Sequence, residues 1–174
     1  MRLVEGVAHV DTGHERSFDS LEALLERLDR IAGETTTTCQ AFDARYVVSR
    51  AHLERALELA DRARDRGGAI ARARGIELLL YAAGRRQIDQ ALEMGIDTGR
   101  TPAVVAVAAN GEHGDEPAAA ELVRETLEPA ATLDRSEHDH LRAFFEISDA
   151  ELEATSADLE ALVLERVALL VVDR

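Results

Sequence analysis

The ten residues from Gly75 to Gly84 constrain the fold of this chain more than any other stretch. Read as a helix, Ile76, Leu79, Leu80 and Ala83 fall on one face while Leu78, Tyr81 and Ala82 fall on another. A helix that is apolar nearly all round has to be covered nearly all round, so this segment is expected at the centre of a core. Ala103 to Ala109 makes a similar demand in extended form. It is a continuous run of small and β-branched apolar residues ending at Asn110-Gly111, which reads as a strand buried on both faces. With 174 residues, 46% of them hydrophobic, the chain has material for one such core and is read as a single domain over residues 1–174.

The remaining pattern fills in around these two elements. Val4, Val7 and Val10 mark an opening strand, closed by Asp11-Thr12-Gly13. A helical pattern starts near Ser17, carries Leu21, Leu24, Leu25, Leu28 and Ile31 on one face, and is expected to stop at Gly33. Gln40 to Val48 reads as a second strand. Ser49 suits the N-cap of a helix presenting Leu53, Ala56, Leu57, Ala60 and Ala63, which Gly67-Gly68 ends. Beyond Gly84 a third helix through Ile88, Ala91 and Leu92 is expected to end in a glycine cap at Gly95, with Gly99 and Pro102 in a loop. Gly111 to Glu116 reads as an acidic loop and Pro117 as the first turn of a helix to Leu127. Ser148-x-x-Glu151 has the form of a capping box. In the closing helix Leu164 and Val171 widen the stripe of Leu159, Leu162, Val163, Val167 and Leu170 beyond the needs of one packing partner, so they are candidate partner-binding residues. Strands separated by unequal blocks of helix predict an α+β fold, a small sheet covered by several helices.

Charge narrows the setting. The chain carries 34 acidic residues against 20 basic ones, all arginine, for a net charge of −14. A lysine-free, acidic chain resembles the proteins of halophilic archaea, in which carboxylates keep a surface hydrated in molar salt. At ~1 M salt the Debye length is only about 3 Å, so the self-repulsion of −14 is largely screened. No apolar run approaches membrane-spanning length and the N-terminus lacks the pattern of a signal peptide, so a cytoplasmic protein without a membrane partner is expected. The single cysteine, Cys39, excludes an internal disulfide and a multi-thiolate metal site within the chain, and reads as a structural thiol.

Local motifs of catalysis are missing. There is no phosphate-cradling glycine loop, no Gly-x-Ser-x-Gly and no His-Glu-x-x-His. His138 and His140 stand two apart, on different faces if helical, and read as part of an acidic turn rather than as a chelating pair. No catalytic residue, cofactor or metal is expected. The informative signal is a reversal of charge: Arg45 to Arg100 holds eleven arginines and eight acidic residues, a surplus of +3, while the rest of the chain stands at −17. One reading pairs these arginines with acids across a protein interface. The other, for an island of arginine on an acidic protein, is a polyanion such as RNA, since guanidinium binds phosphate in bidentate fashion and stacks on bases. Counterion release contributes little in molar salt, which favours unpaired ends over duplex.

The segment from Gly75 through Gly84-Arg85-Arg86-Gln87 to Gly95-Ile96, with the closing Phe144 to Val171, resembles the accessory subunit of the KEOPS tRNA-modification complex, the family of the human PRPK-binding protein. The resemblance implies a helical α+β fold and a non-catalytic protein. It further implies binding to the KEOPS kinase/ATPase subunit and to the single-stranded 3′ CCA end of tRNA, in support of threonylcarbamoyl-adenosine formation. Gly84, Arg85, Arg86 and Gln87 occupy the family's Gly-x-Arg-Gln stretch, preceded by Glu77 and Tyr81. With Arg72 and Arg74, the residues Arg85, Arg86 and Gln87 form the expected nucleic-acid-binding set. Lysines that the family often uses are absent here, so arginine has to replace them.

Overall fold

In a computed structural model that describes residues 1–133, 138–154 and 158–171, the apolar run at Ala103 forms the middle of the sheet. Strand β3 (Gly99–Ala109) lies between β1 (Arg2–Val10) and β2 (Thr37–Asp43), antiparallel to both. Ala103 through Ala108 are all buried, as the lack of alternation predicts. Together with helices this makes an α+β fold.

The chain divides into two compact units, Met1–Ala44 with Gly95–Thr132 and Arg45–Met94 with Leu133–Arg174. The first holds the sheet, with α1 (Leu21–Thr35) and α5 (Glu116–Thr126) packed together on it. Leu24, Leu28 and Ile31 of α1 and Ala119, Ala120 and Val123 of α5 meet Val4, Val105 and Val107 in its core. Each fully buried Leu or Ile contributes roughly 2 kcal/mol by leaving water. Gly6 is required where β1 passes the segment after α5, because a Cβ there would lie 2.7 Å from both Leu127 Cβ and Glu128 O.

Several boundaries differ from the sequence expectation, for identifiable reasons. Ser20, not Ser17, caps α1, accepting from Ala23 N at 3.1 Å. The helix also runs past Gly33, which is exposed with open space around it. An exposed interior glycine costs only about 1 kcal/mol, whereas the real stop is set by contacts. Thr36 takes a left-handed conformation (φ 52°) and its carbonyl accepts from Asn110 N at 2.9 Å. Strand β2 consequently begins among the threonines and gives way at Ala44–Tyr46 to a 3₁₀ turn, so Val47 and Val48 fall outside it. Strand β3 begins at Gly99 and includes Pro102, both expected in a loop. Pro102 faces Val7, whose N–H and C=O are turned away to Glu128, so that step of the ladder asks no N–H of the proline. On its other side the pairing with β2 stops at Asp43 opposite Ala103.

The second unit is helical. Helix α2 (Arg50–Asp65) is capped by Ser49, whose Oγ accepts from His52 N at 3.2 Å, and α3 (Arg74–Ala83) packs on it. Every residue from Glu77 to Ala83 is buried, as a helix apolar on nearly every side requires. Helix α4 (Ile88–Ala91) is a single turn extended by 3₁₀ residues Leu92–Met94. Ile88 and Leu92 are exposed, and Gly95 does not take the left-handed conformation expected of a cap. Helices α6 (His138–Phe144), α7 (Asp149–Ala154) and α8 (Leu159–Leu169) complete the unit. His138 and His140 belong to the first turn of α6 rather than to an acidic turn, and His140 meets the Tyr46 ring edge-on. Ser148 caps α7, accepting from Glu151 N at 3.2 Å.

Candidate functional site

Helix α3 organises the arginines of the helical unit, and it does so by separating them. At its N-terminal end α2 closes in a Schellman turn, with Gly67 N–H bonded to Arg64 O at 3.0 Å and Gly68 N–H to Ala63 O at 2.8 Å. The loop that follows is tied down by Glu77. This fully buried carboxylate accepts from Ile70 N at 3.1 and 3.0 Å and from Ala71 N at 2.6 Å. Arg64 adds bonds to the carbonyls of Ala71 and Arg72 at 3.3 and 3.0 Å. The backbone that carries Arg72 is therefore held from both sides, while its side chain is exposed. Arg74 is committed differently: its Nε and NH2 make a bidentate pair with Asp61 at 2.7 and 2.6 Å.

The other three residues of the set lie about 15 Å away, one helix length of ten residues at 1.5 Å each. There α3 ends at Gly84, with Gly84 N–H to Tyr81 O and Arg85 N–H to Leu80 O, both 3.1 Å. Gly84 has φ +61°, and a Cβ on it would come within 3.3 Å of Arg166 O on α8. Glycine is thus needed for both conformation and space. Arg85 NH2 donates to Phe144 O at 2.8 Å and to Glu146 at 2.9 Å, and its guanidinium lies 5.7 Å from the Phe144 ring centre. Glu146 holds a left-handed backbone (φ 55°), a conformation that disfavours a residue with a Cβ, at the end of α6. Arg166 closes the same corner through Phe145 O at 3.3 Å and Glu151 at 2.7 Å. Ala83, Gly84, Arg85, Phe145, Glu146 and Arg166 line a cleft of about 160 Å³.

Arg86 is exposed and reaches the carbonyl of Leu170, just past α8, at 3.4 Å. Gln87 is exposed at the N-cap position of α4, where its side chain makes no capping bond. Ile88, Leu92, Leu169 and Val171 are the large apolar residues that this unit exposes among the described residues. Ile88 follows Gln87 in the chain, and Val171 follows Leu170, whose carbonyl Arg86 reaches. Leu164 is half-buried within α8.

Behind the corner sits His52, wholly buried, its Nε2–H donating to Ala82 O at 2.8 Å and its Nδ1 accepting from Val48 N at 3.4 Å. Both ring nitrogens are satisfied by the neutral form alone. Burial pushes its pKa down to about 4, against a smaller opposing effect of the Ala82 carbonyl.

A family model described as kinase binding protein CGI-121 matches residues 18–170. The chain belongs to the CGI-121 family. No curated protein is matched. The CGI-121 match takes in all of α2, α3, α4 and α8, and with them both arginine clusters. Sequence reading found the arginines but not their partners. Asp61 is 13 residues from Arg74 and Glu146 is 61 residues from Arg85, too far for any local spacing rule to pair them. No helix among the described residues is long and apolar enough to cross a membrane.

Proposed function

We propose that this chain is a non-catalytic accessory subunit of the KEOPS complex, which binds the kinase/ATPase subunit and the single-stranded 3′ CCA end of tRNA in the cytoplasm and so supports threonylcarbamoyl-adenosine formation. The observation that carries the reading is the corner at the end of α3, on a chain of a kinase-binding family. Exposed Arg86 and Gln87 run directly into a segment that exposes Ile88 and Leu92, and Arg86 reaches the carbonyl of Leu170, which lies in the chain between exposed Leu169 and Val171. A guanidinium, an amide and small apolar surfaces suit unpaired bases, which are held by stacking and edge contacts that survive high salt. Arg85, fixed by Phe144 and Glu146, is a positioning residue for the turn. Arg72 and Arg74 lie at the opposite end of α3, too far to touch the same nucleotide, and serve the adjoining backbone. Val171 and Leu169, together with half-buried Leu164 of α8, offer apolar surface to the kinase subunit.

The second reading is a protein-only adaptor that activates the kinase without touching RNA. It draws on the pairing of Arg74 with Asp61 and of Arg85 with Glu146, which leaves less uncompensated positive charge than the count of arginines implied. Fluorescence anisotropy with the full chain at molar KCl separates the two. Intact tRNA should bind, and tRNA trimmed of its 3′ end should not. Arg86→Glu combined with Gln87→Ala should weaken intact tRNA by about tenfold or more while co-purification with the kinase subunit is unchanged. Equal binding of both tRNAs, or of neither, favours the adaptor.

The composition fits this work being done in molar salt, in a halophilic archaeon. The melting temperature should rise between about 0.1 and 2 M KCl as the charge of −14 is screened. A melt indifferent to salt removes the halophile from the proposal.

A further inference from the structure

Away from the arginine corner, the sheet unit brings together three side chains that no local motif joins. His9, near the end of β1, is buried, and its Nε2 lies 2.7 Å from Glu128 Oε2. The His14 ring stacks on it with centroids 4.0 Å apart and planes 9° from parallel. One donor atom from each of His9, His14 and Glu128 falls within 4.8 Å of the others. Glu128 is fixed in place by two backbone bonds to Val7, of 2.8 and 2.9 Å.

A chain of hydroxyls lies behind His9. Ser17 Oγ donates to the Phe18 carbonyl at 3.3 Å and accepts from Thr12 Oγ1 at 3.2 Å. The Thr12 hydroxyl lies 3.2 Å from His9 Nδ1, so one ring nitrogen meets a hydroxyl while the other, Nε2, faces the Glu128 carboxyl. A polar partner behind the ring is the arrangement that metal-binding histidines use.

We propose that His9 Nε2, His14 and Glu128 form a binding site for one divalent transition-metal ion of the zinc class. Two imidazoles and a carboxylate suit such an ion and not magnesium or calcium. Bonds near 2.1 Å in a tetrahedral site separate the donors by about 3.4 Å. The His9–Glu128 pair accordingly opens a little, and His14 swings in and tilts out of the stack, giving up the 3.2 Å bond that its Nδ1 accepts from Arg16 N. The ion joins the end of β1, the turn after it and the segment after α5, acting as a staple on the sheet unit. Both histidines precede residue 18, where the family match begins.

The test uses the full chain, stripped with a chelator and kept in molar KCl with excess Mg²⁺ to occupy surface carboxylates. Titrated Co²⁺ should give the visible absorption of a tetrahedral site, saturating at one equivalent and lost on adding Zn²⁺. Zn²⁺ at a hundredfold excess over Kd should raise the melting temperature by roughly 5 °C or more. His14→Ala and Glu128→Gln, each melting like the parent in chelator, should abolish both effects. Absence of the absorption, or its persistence in both variants, overturns the site and leaves His9 and Glu128 as a hydrogen-bonded pair.

Discussion

The sheet unit and the helical unit differ most in how they spend charge. The sheet unit holds six of the twenty arginines and a formal charge of −10, whereas the helical unit holds fourteen and stands at −4. In the sheet unit the long buried element is β3, whose polar backbone is satisfied by strands on either side. In the helical unit it is α3, which satisfies its own backbone but leaves its two ends to be closed by side chains: Glu77 on the loop before it, and Arg85 and His52 at the turn after it. A buried strand can be finished with apolar residues alone. A buried helix needs buried polar groups, and the helical unit is consequently the more sensitive to pH and to single substitutions.

Acid should expose that difference first. His52 has a folded pKa of about 4 against about 6.5 when unfolded, so the unfolded chain binds more protons between these values. Its contribution is intact above pH 6.5 and drains away as pH falls towards 4, by about 3 kcal/mol. Hydrogen exchange from pH 7 down to 4.5 should show α2 and α3 losing protection before β3. Simultaneous loss in both would make the chain one cooperative domain and break the contrast.

Smaller effects come from two glycines. Gly84→Ala at the end of α3 places a Cβ at positive φ and against Arg166, and should cost about 2 kcal/mol in denaturant unfolding. Gly33→Ala in α1, where nothing lies within 4 Å, should instead stabilise by about 0.7 kcal/mol. A loss at Gly33 as large as that at Gly84 would show that the ends of α3 are no more demanding than the surface of the sheet unit.

The same contrast explains what could be read in advance. The all-round apolar pattern of α3 and the unbroken run in β3 are burial signals, and both elements appeared where the residues put them. Their margins were less legible, because Thr36 and Pro102 take their conformations from neighbours distant in sequence. Asn110 holds the Thr36 carbonyl, and the Val7–Glu128 exchange leaves Pro102 no donor to supply. The arginine island was visible as a count, and its division between the two ends of α3 followed only from the helix between them. His9, His14 and Glu128 were invisible for the same reason, the third lying 119 residues from the first.

The paired backbone bonds of Val7 with Glu128 have one more consequence. Together with the bonds from Asp11 N to Phe18 O and from Phe18 N to His9 O, they occupy the outer margin of β1 at its far end. An open strand margin invites a strand from another molecule, and proteins commonly repel it with lysine. This chain has none, and blocks stacking of one copy on the next at that margin with its own backbone.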